Sequence, residues 1–161
     1  FVNCDPVTFE DAVKDDHWNQ AMDEEIHAIK KTKTWELTTL PYDKNLIGVK
    51  WIYKTKYKPP RGVFRYKVRL VVKRCKQKAA IDHFKIFSPV VRLDTIRMII
   101  SIATNNSWKI YQMDVKSTCL NEILQEEVYV EQSAGYVMKG QENKVYRLKK
   151  ALYGLKQAPR A

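Results

Sequence analysis

An apolar stripe with helical spacing marks the N-terminal part of the chain. Its members, four, four and three residues apart, are Trp18, Met22, Ile26 and Ile29. This spacing places them on one face of an α-helix, and Thr8 followed three residues later by Asp11 is a typical helix cap. We therefore predict a helical region over about residues 1–33, whose stripe packs as core instead of forming a binding face.

The next segments alternate in the manner of β-strands. Trp35–Thr38 is predicted as a short strand, and residues 48–57 and 63–73 are longer runs rich in aromatic and β-branched side chains. The sequence Pro59-Pro60-Arg61-Gly62 separates the two longer runs, as expected of a turn. Strand, tight turn and strand in succession predict a β-hairpin.

The second half of the chain combines one helix with short strands. A helix that Asp94 caps and that ends near Asn106 is apolar nearly all round, so we expect it to be buried. Three more strands are predicted, at residues 108–115, 127–131 and 144–148. The predicted fold class is α+β, with a basic hairpin standing apart from a helix-covered sheet.

Charge is distributed unevenly along these elements. The 161 residues include 29 Lys and Arg against 18 Asp and Glu, a net charge of +11. Residues 1–25 carry eight acids and one base, whereas residues 44–78 carry thirteen bases and no acid. Such a charge points to a polyanionic partner, nucleic acid first. A membrane is set aside because no apolar run is long enough to span a bilayer.

The cations of the hairpin share one parity in each strand. They are Lys50, Lys54, Lys56 and Lys58 in the first strand, and Arg65, Lys67, Arg69 and Lys73 in the second. Alternate residues of a strand face the same side, so one face should be strongly basic. A solvated surface is the plain alternative, but such surfaces usually mix both signs. With aromatic residues nearby, some of them in the core, the face suits phosphate contacts.

Cysteine usage gives no sign of a disulfide framework or a metal site. Cys4, Cys75 and Cys119 are odd in number and far apart, and none has a histidine at metal-ligand spacing. We expect thiols in a reducing compartment. The first residues also lack the basic and then apolar pattern of a signal peptide.

Several runs, in a fixed order along nearly the whole chain, resemble the reverse transcriptase domain of copia-type retrotransposons. They are WNQAMDEEI (18–26), KTWEL (33–37), GVKWIYKTKY (48–57), YKVRLVVK (66–73), FSPVVRLDTIR (87–97), QMDVK (112–116), EVYVEQ (127–132) and LYGLKQAPR (152–160). The resemblance implies the N-terminal part of a polymerase right hand, as one partial domain over residues 1–161. Within it, residues 1–33 are the helical region, 34–91 the fingers with the hairpin, and 92–161 the start of the palm and the return between fingers and palm.

The same resemblance implies a set of site residues. Asp114 corresponds to the first carboxylate that holds a pair of Mg²⁺ ions, a catalytic and metal-binding role. Lys67 and Arg69 correspond to cations that meet the triphosphate of the incoming nucleotide. Nucleotide contacts are also implied for Val115, Cys119, Tyr153 and Gln157. Without the resemblance, Asp114 would be interpreted as a helix cap or turn residue. The run from Tyr153 to Gln157 is equally well interpreted as a structural turn followed by the start of a helix.

The family draws its other carboxylates from a Tyr-x-Asp-Asp hairpin. The 161 residues of this sequence contain no Asp-Asp pair after Asp15-Asp16. We therefore expect the chain alone to be inactive as an RNA-directed DNA polymerase, and a non-catalytic nucleic-acid-binding module is the alternative. A structural protein with incidental charge is a third hypothesis. The partners implied are an RNA or DNA template-primer, deoxynucleotides and the rest of the Pol polyprotein, in a cytoplasmic virus-like particle or the nucleus.

Three positions depart from the family pattern. Cys119 stands where a bulky aromatic residue usually screens the sugar 2′ position, which puts discrimination against ribonucleotides in doubt. Arg74 replaces a glycine at the end of the second hairpin strand, where we expect it to force a backbone conformation that favours glycine. Glu122 replaces another glycine, and from these changes we hypothesise that the chain derives from an inactive genomic copy.

Overall fold

The computed structural model describes residues 5–57, 63–79, 81–82, 92–113 and 123–158. Their helices are α1 (Phe9–Ala12), α2 (Asp16–Lys31) and α3 (Leu93–Asn105), with a 3₁₀ turn at Arg74–Lys76. Their strands are β1 (Trp35–Thr38), β2 (Leu46–Ile47), β3 (Val49–Tyr57), β4 (Val63–Val72), β5 (Ile123–Val130) and β6 (Val145–Lys150). Helices and mainly antiparallel strands confirm a mixed fold of the α+β kind.

The N-terminal helices form as the sequence predicts. The Thr8 hydroxyl accepts a hydrogen bond from the Asp11 amide at 3.2 Å, which caps α1, and the Asp15 carboxylate caps α2 through the His17 amide. The four stripe residues of α2 are all buried in the main hydrophobic cluster. The predicted core role of this stripe is confirmed.

Strands β3 and β4 form the predicted antiparallel hairpin. Their register runs from Val49 opposite Val72 to Tyr57 opposite Val63, with an irregularity beside Tyr57. The face that carries Trp51 and Leu70 is buried against α2, because both side chains belong to the same cluster as the α2 stripe. The hairpin is therefore a two-stranded sheet with one dry face and one face open to solvent.

The remaining strands make a second sheet in the order β1-β6-β5-β2. Strands β1, β6 and β5 pair antiparallel, and the two-residue β2 runs parallel to β5. The predictions for β1, β5 and β6 are confirmed, with ends that differ by a few residues. The Glu131 amide donates a hydrogen bond to the Ile47 carbonyl at 3.1 Å, which extends the pairing of β2 with β5. The Lys73 amide donates to the Gly48 carbonyl at 2.8 Å and closes the base of the hairpin, directly after β2.

Helix α3 departs from the prediction in two ways. The capping position is Arg92, whose side chain makes no capping bond, whereas Asp94 lies inside the first turn at 3.9 Å from Arg97. The helix is also exposed: Ala103 is its one buried residue, and Ile99 is 57% exposed. The expected burial is thus wrong, because apolar composition does not by itself provide neighbouring elements to cover a helix.

The strand predicted at residues 108–115 is also wrong over its described part. Residues 108–113 form no strand, and the Met113 side chain is 88% exposed. A strand needs a neighbour to hydrogen-bond with its backbone, and no described strand pairs with this segment. Residues 114 and 115 lie outside the described residues.

Two smaller expectations can also be compared with the structure. Within the described residues, the non-glycine residues with positive φ are Lys33 and Ser107, so Arg74 adopts no glycine-like backbone and that expectation is wrong. Cys75 is an exposed free thiol. Across the described stretches, helices long and apolar enough to cross a bilayer are absent.

Candidate nucleic-acid interface

The solvent face of the β3–β4 hairpin is basic, as predicted. Its described strand residues are Lys50, Ile52, Lys54 and Lys56 on β3 and Arg65, Lys67, Arg69 and Val71 on β4. In the register, Lys54 lies directly opposite Lys67, and Lys56 directly opposite Arg65. We call these eight residues the basic face. Lys73 follows β4 with an exposed side chain, and Lys58 lies outside the described residues.

Like charges lie directly opposite one another on the basic face, and acidic side chains compensate only part of this charge. Directly opposed cations in an antiparallel pair destabilise a sheet. Among the described residues, the ion pair that this face makes is the contact between Lys54 Nζ and Asp5 Oδ2, at 3.7 Å. A surface with this charge arrangement is stabilised by a polyanion that lies across both strands.

Three cations on the four-stranded sheet and in the loop before β2 are paired with carboxylates. Glu36 lies 2.6 Å from Lys149 and 3.6 Å from Arg147, while Glu127 lies 3.0 Å from Arg147 and 3.2 Å from Lys44. Each of these three cations therefore has a carboxylate partner. On the basic face, by contrast, the ion pair among the described residues is the Lys54–Asp5 contact.

Lys67 shows the effect of this crowding on ionisation. Partial burial lowers the pKa of the Lys67 ammonium, and the neighbouring cations Arg69, Lys56 and Arg65 lower it further, while Glu25 acts in the opposite direction. A phosphate beside Lys67 would favour its charged form. The electrostatic setting of Lys67 therefore suits an anionic ligand.

Arg69 and Tyr153, two predicted nucleotide-binding residues, meet at the base of the hairpin. The Arg69 guanidinium carbon lies 4.9 Å from the centroid of the Tyr153 ring, within the range of a cation–π contact. The Tyr153 carbonyl accepts a hydrogen bond from the Val72 amide at 2.8 Å, and Tyr153 forms a parallel bridge with Val71. The C-terminal segment is thus attached to β4 beside the basic face.

Most hairpin aromatics lie on the opposite side from the cations. Trp51 and Tyr53 are buried, at 8% and 6% exposure, and Tyr66 packs edge-on against Trp18 with its ring centroid 4.7 Å away. The prediction that some of these rings belong to the core is confirmed. Tyr57 is exposed near the end of β3. The described part of the hairpin therefore has no continuous row of aromatic rings beside its cations.

Gln157 is fully buried. Its side-chain oxygen accepts a hydrogen bond from Gln77 Nε2 at 3.0 Å, and its side-chain nitrogen donates to the Asp82 carbonyl at 2.9 Å. Residues 151–158 form turns and bends around the β-bridge at Tyr153 and contain no helix. The structure therefore places Gln157 inside the protein, apart from the exposed basic face, and its predicted nucleotide contact stays a prediction.

Glu25 is a charged neighbour of the basic face that the sequence reading missed. Its carboxylate accepts a hydrogen bond from the Leu70 amide on the outer edge of β4 at 3.4 Å, and it interacts electrostatically with Arg69 and Lys67. A signal was present, since Glu25 stands three residues after Met22 and four before Ile29, within the apolar stripe. A carboxylate at such a position is directed toward the packed side of its helix.

Replacing Glu25 with glutamine is expected to stabilise the fold at neutral pH. Burial raises the pKa of the Glu25 carboxyl above 4.5, although the Leu70 hydrogen bond, Arg69 and Lys67 oppose the shift. A raised pKa means that the carboxylate form costs stability: the cost is absent below pH 4.5, grows as pH rises through the folded-state pKa and is then constant. Glutamine keeps the acceptor for Leu70 without the charge.

Urea unfolding of the wild type and Glu25→Gln between pH 4 and pH 8 measures this difference. The variant should be more stable at pH 7, and the gap should close in acid. Glu24→Gln, at an exposed position of the same helix, controls for the lost charge. A Glu25→Gln variant that is less stable than wild type at pH 7 would show that the attraction to Arg69 and Lys67 outweighs burial.

The predicted catalytic carboxylate cannot be placed beside these groups. Asp114, Val115 and Cys119 lie outside the described residues. Groups of three or more His, Cys, Asp or Glu able to hold a metal ion do not occur among residues 5–57, 63–79, 81–82, 92–113 and 123–158. The described residues thus present a basic surface, whose function is proposed below.

Comparisons with known proteins place this surface in a family context. Residues 32–161 match a family model described as reverse transcriptase (RNA-dependent DNA polymerase). The chain is 42% identical over 160 residues to the retrovirus-related Pol polyprotein from transposon RE2 of Arabidopsis thaliana, covering 99% of this chain and 11% of that protein.

Two further relatives agree with this match. Identity is 40% over 158 residues to the Pol polyprotein from transposon RE1 of Arabidopsis thaliana, and 44% over 141 residues to that from transposon TNT 1-94 of Nicotiana tabacum. These alignments cover 98% and 88% of this chain, and the chain spans about a tenth of each relative, 11% in both cases. No solved structure matches the chain.

Proposed function

The chain belongs to the reverse transcriptase (RNA-dependent DNA polymerase) family, as part of a retrotransposon Pol polyprotein, and from this premise we propose that its hairpin is a fingers element whose basic face binds nucleic-acid phosphates. The observation that carries the proposal is the direct opposition of Lys54 to Lys67 and of Lys56 to Arg65. An arrangement that is unfavourable in the free protein becomes favourable when phosphates lie between the rows. Sequence-independent phosphate contacts of this kind dominate the affinity of nucleic-acid-binding proteins.

Within this proposal, Lys67 and Arg69 are the cations for a triphosphate. Arg69 suits the task because its planar guanidinium can bind two phosphate oxygens at once. The cation–π contact with Tyr153 supports one orientation of that side chain. The right-hand arrangement, with the β3–β4 hairpin as fingers and residues from 92 onward entering the palm, is part of the same proposal.

Magnesium would be the cofactor of the polymerase. Magnesium ions would be held by several carboxylates, Asp114 among them, and would stabilise the negative charge of the transferred phosphoryl group. The described residues do not supply such a set, since Asp114 is the one candidate and lies outside them.

We expect the 161-residue chain, taken alone, to bind nucleic acid without extending a primer. The test is a salt-titrated binding assay with a primer-template of DNA on RNA, run beside primer extension with magnesium on the same preparation. The logarithm of the binding constant should fall linearly with the logarithm of salt concentration, with a slope of about −0.7 to −0.9 for each phosphate contacted. Extension should be absent.

Asp114→Asn is the matched variant for this assay. Extension by the wild type that disappears in Asp114→Asn would show that a full metal site forms from carboxylates elsewhere in the chain, and the non-catalytic proposal would then fail. Binding that is weak and insensitive to salt would contradict the basic face as a phosphate site and favour a structural protein with incidental charge.

A further inference from the structure

Two buried glutamines and one buried aspartate form a polar cluster between the residues after the hairpin and the C-terminal segment. We call Gln77, Asp82 and Gln157 the amide node. Gln77 Nε2 donates to Gln157 Oε1 at 3.0 Å, and Gln157 Nε2 donates to the Asp82 carbonyl at 2.9 Å. Gln77 and Gln157 are 5% and 0% exposed. Buried amides need partners inside the protein, and a satisfied buried network favours one arrangement of the chain over others.

The amide node joins segments that are far apart in sequence. Gln77 lies just after the hairpin and Gln157 lies 80 residues later. The Asp82 carboxylate accepts hydrogen bonds from Asn45 Nδ2 at 2.9 Å and from the Lys78 amide at 2.6 Å, which fixes the node to the loop before β2. The node is therefore anchored to residues outside the C-terminal segment.

Gln77 also holds the main chain of the C-terminal segment directly. Its side-chain oxygen accepts a hydrogen bond from the Lys156 amide at 2.8 Å, and its carbonyl accepts one from Lys156 Nζ at 3.3 Å. At the other end of the same segment, the Tyr153 carbonyl is bonded to the Val72 amide. The turn between the two attachments contains Gly154 at φ +90°. Two fixed ends leave this turn little freedom.

We infer that Gln77 is a positioning residue for the basic face, because it holds the segment 152–158 in the place where the Tyr153 ring supports the Arg69 guanidinium. Arginine loses considerable rotamer entropy when it is ordered, so a side chain that is already held needs less ordering when it meets a phosphate. The assignment of Gln77 follows from its contacts alone, and its consequence for binding rests on the proposed function of the basic face.

The first test measures the contact between Arg69 and Tyr153 without nucleic acid. In the 161-residue chain, the Arg69 side-chain resonances should be shifted by the Tyr153 ring, and Tyr153→Leu should abolish that shift. Gln77→Met, which keeps the length of the side chain but makes neither hydrogen bond, should abolish most of it as well. Arg69 resonances unchanged in Gln77→Met would overturn the assignment.

A second measurement separates positioning from a general structural role. Gln77→Met should weaken binding of single-stranded oligothymidylate about two- to fivefold, the range expected for an exposed cation–π contact. In a Tyr153→Leu background the same substitution should have no further effect, since both changes act through one contact. Equal losses in both backgrounds would overturn the inference. Absence of binding by the wild type would defeat the proposed function, while the Arg69 resonances would still decide the role of Gln77.

Gln77→Glu provides a second variant in case Gln77→Met does not fold. Glutamate keeps an acceptor for the Lys156 amide but loses the donor to Gln157, so that two oxygens would face each other. It should reduce the Arg69 shift in the same direction. Val128→Ala, a cavity in the buried part of β5, controls for destabilisation and should leave the Arg69 shift in place. Loss of the Arg69 shift in this control would overturn the inference.

Discussion

Replacing Lys54, Lys56 and Arg65 together with glutamine is expected to weaken single-stranded oligonucleotide binding by about 100-fold at 0.1 M salt. Each lost phosphate contact lowers the salt slope by about 0.7, so three contacts lower it by about 2, which is about two orders of magnitude between 0.1 M and 1 M salt. The three side chains are exposed on the basic face. Their removal should leave the fold intact, and it relieves the repulsion between Lys56 and Arg65.

The four-stranded sheet offers a matched control for this variant. Replacing Lys44, Arg147 and Lys149 with glutamine removes the same three charges, which takes the net charge from +11 to +8 in both variants. These cations already have Glu36 and Glu127 as partners, so their loss should change affinity much less. Equal losses in the two triple variants would show that affinity follows net charge instead of the arrangement on the hairpin.

The sequence was sufficient to predict the hairpin and its basic face. Side chains alternate strictly along a strand, so the parity of Lys54 and Lys56 placed them together whatever the tertiary structure. The direct opposition of Lys54 to Lys67 could not be predicted in the same way. The register of a hairpin depends on the type and length of its turn, and the composition of residues 58–62 does not by itself define that turn.

Predictions that needed a neighbouring element were less reliable. Helix α3 was correctly predicted as a helix, because its spacing and its end near Asn106 are local properties. The burial of α3 was not correctly predicted. An apolar residue such as Ile99 gives the same sequence pattern whether or not another element covers it. The strand prediction for residues 108–113 was wrong for a related reason, because a strand forms only where its backbone has a hydrogen-bonding partner.

Contacts between polar side chains were the least accessible from sequence. The hydrogen bond between Gln77 and Gln157 joins residues 80 positions apart, and neither glutamine lies in a sequence pattern that predicts burial. Glu25 was detectable in principle because it interrupts an apolar stripe. The resemblance to reverse transcriptases correctly identified the family of the chain, but it did not indicate which polar groups hold the segment 152–158 against the hairpin.

Replacing Gly154 with alanine is expected to destabilise the fold by about 3 kcal/mol or more. The backbone of Gly154 has φ +90°, which costs other residues roughly 1–2 kcal/mol. An added Cβ would also lie 2.5 Å from the Val72 carbonyl oxygen and 2.5 Å from Val71 Cγ1. Val72 donates its amide to the Tyr153 carbonyl, so the clash falls on the hydrogen bond that attaches this segment to β4.

Gly140→Ala separates the two contributions to this loss. Gly140 has a similar φ of +74°, but an added Cβ there would meet no atom within 4 Å. Its substitution should therefore cost only the conformational part, about 1–2 kcal/mol, in urea unfolding. A larger loss for Gly154→Ala, with loss of the Arg69 shift caused by Tyr153, would show that close packing of the turn on β4 supports the basic face. Equal losses would mean that the turn yields at Gly154, and that the attachment of Tyr153 to Val72 is weaker than its 2.8 Å hydrogen bond indicates.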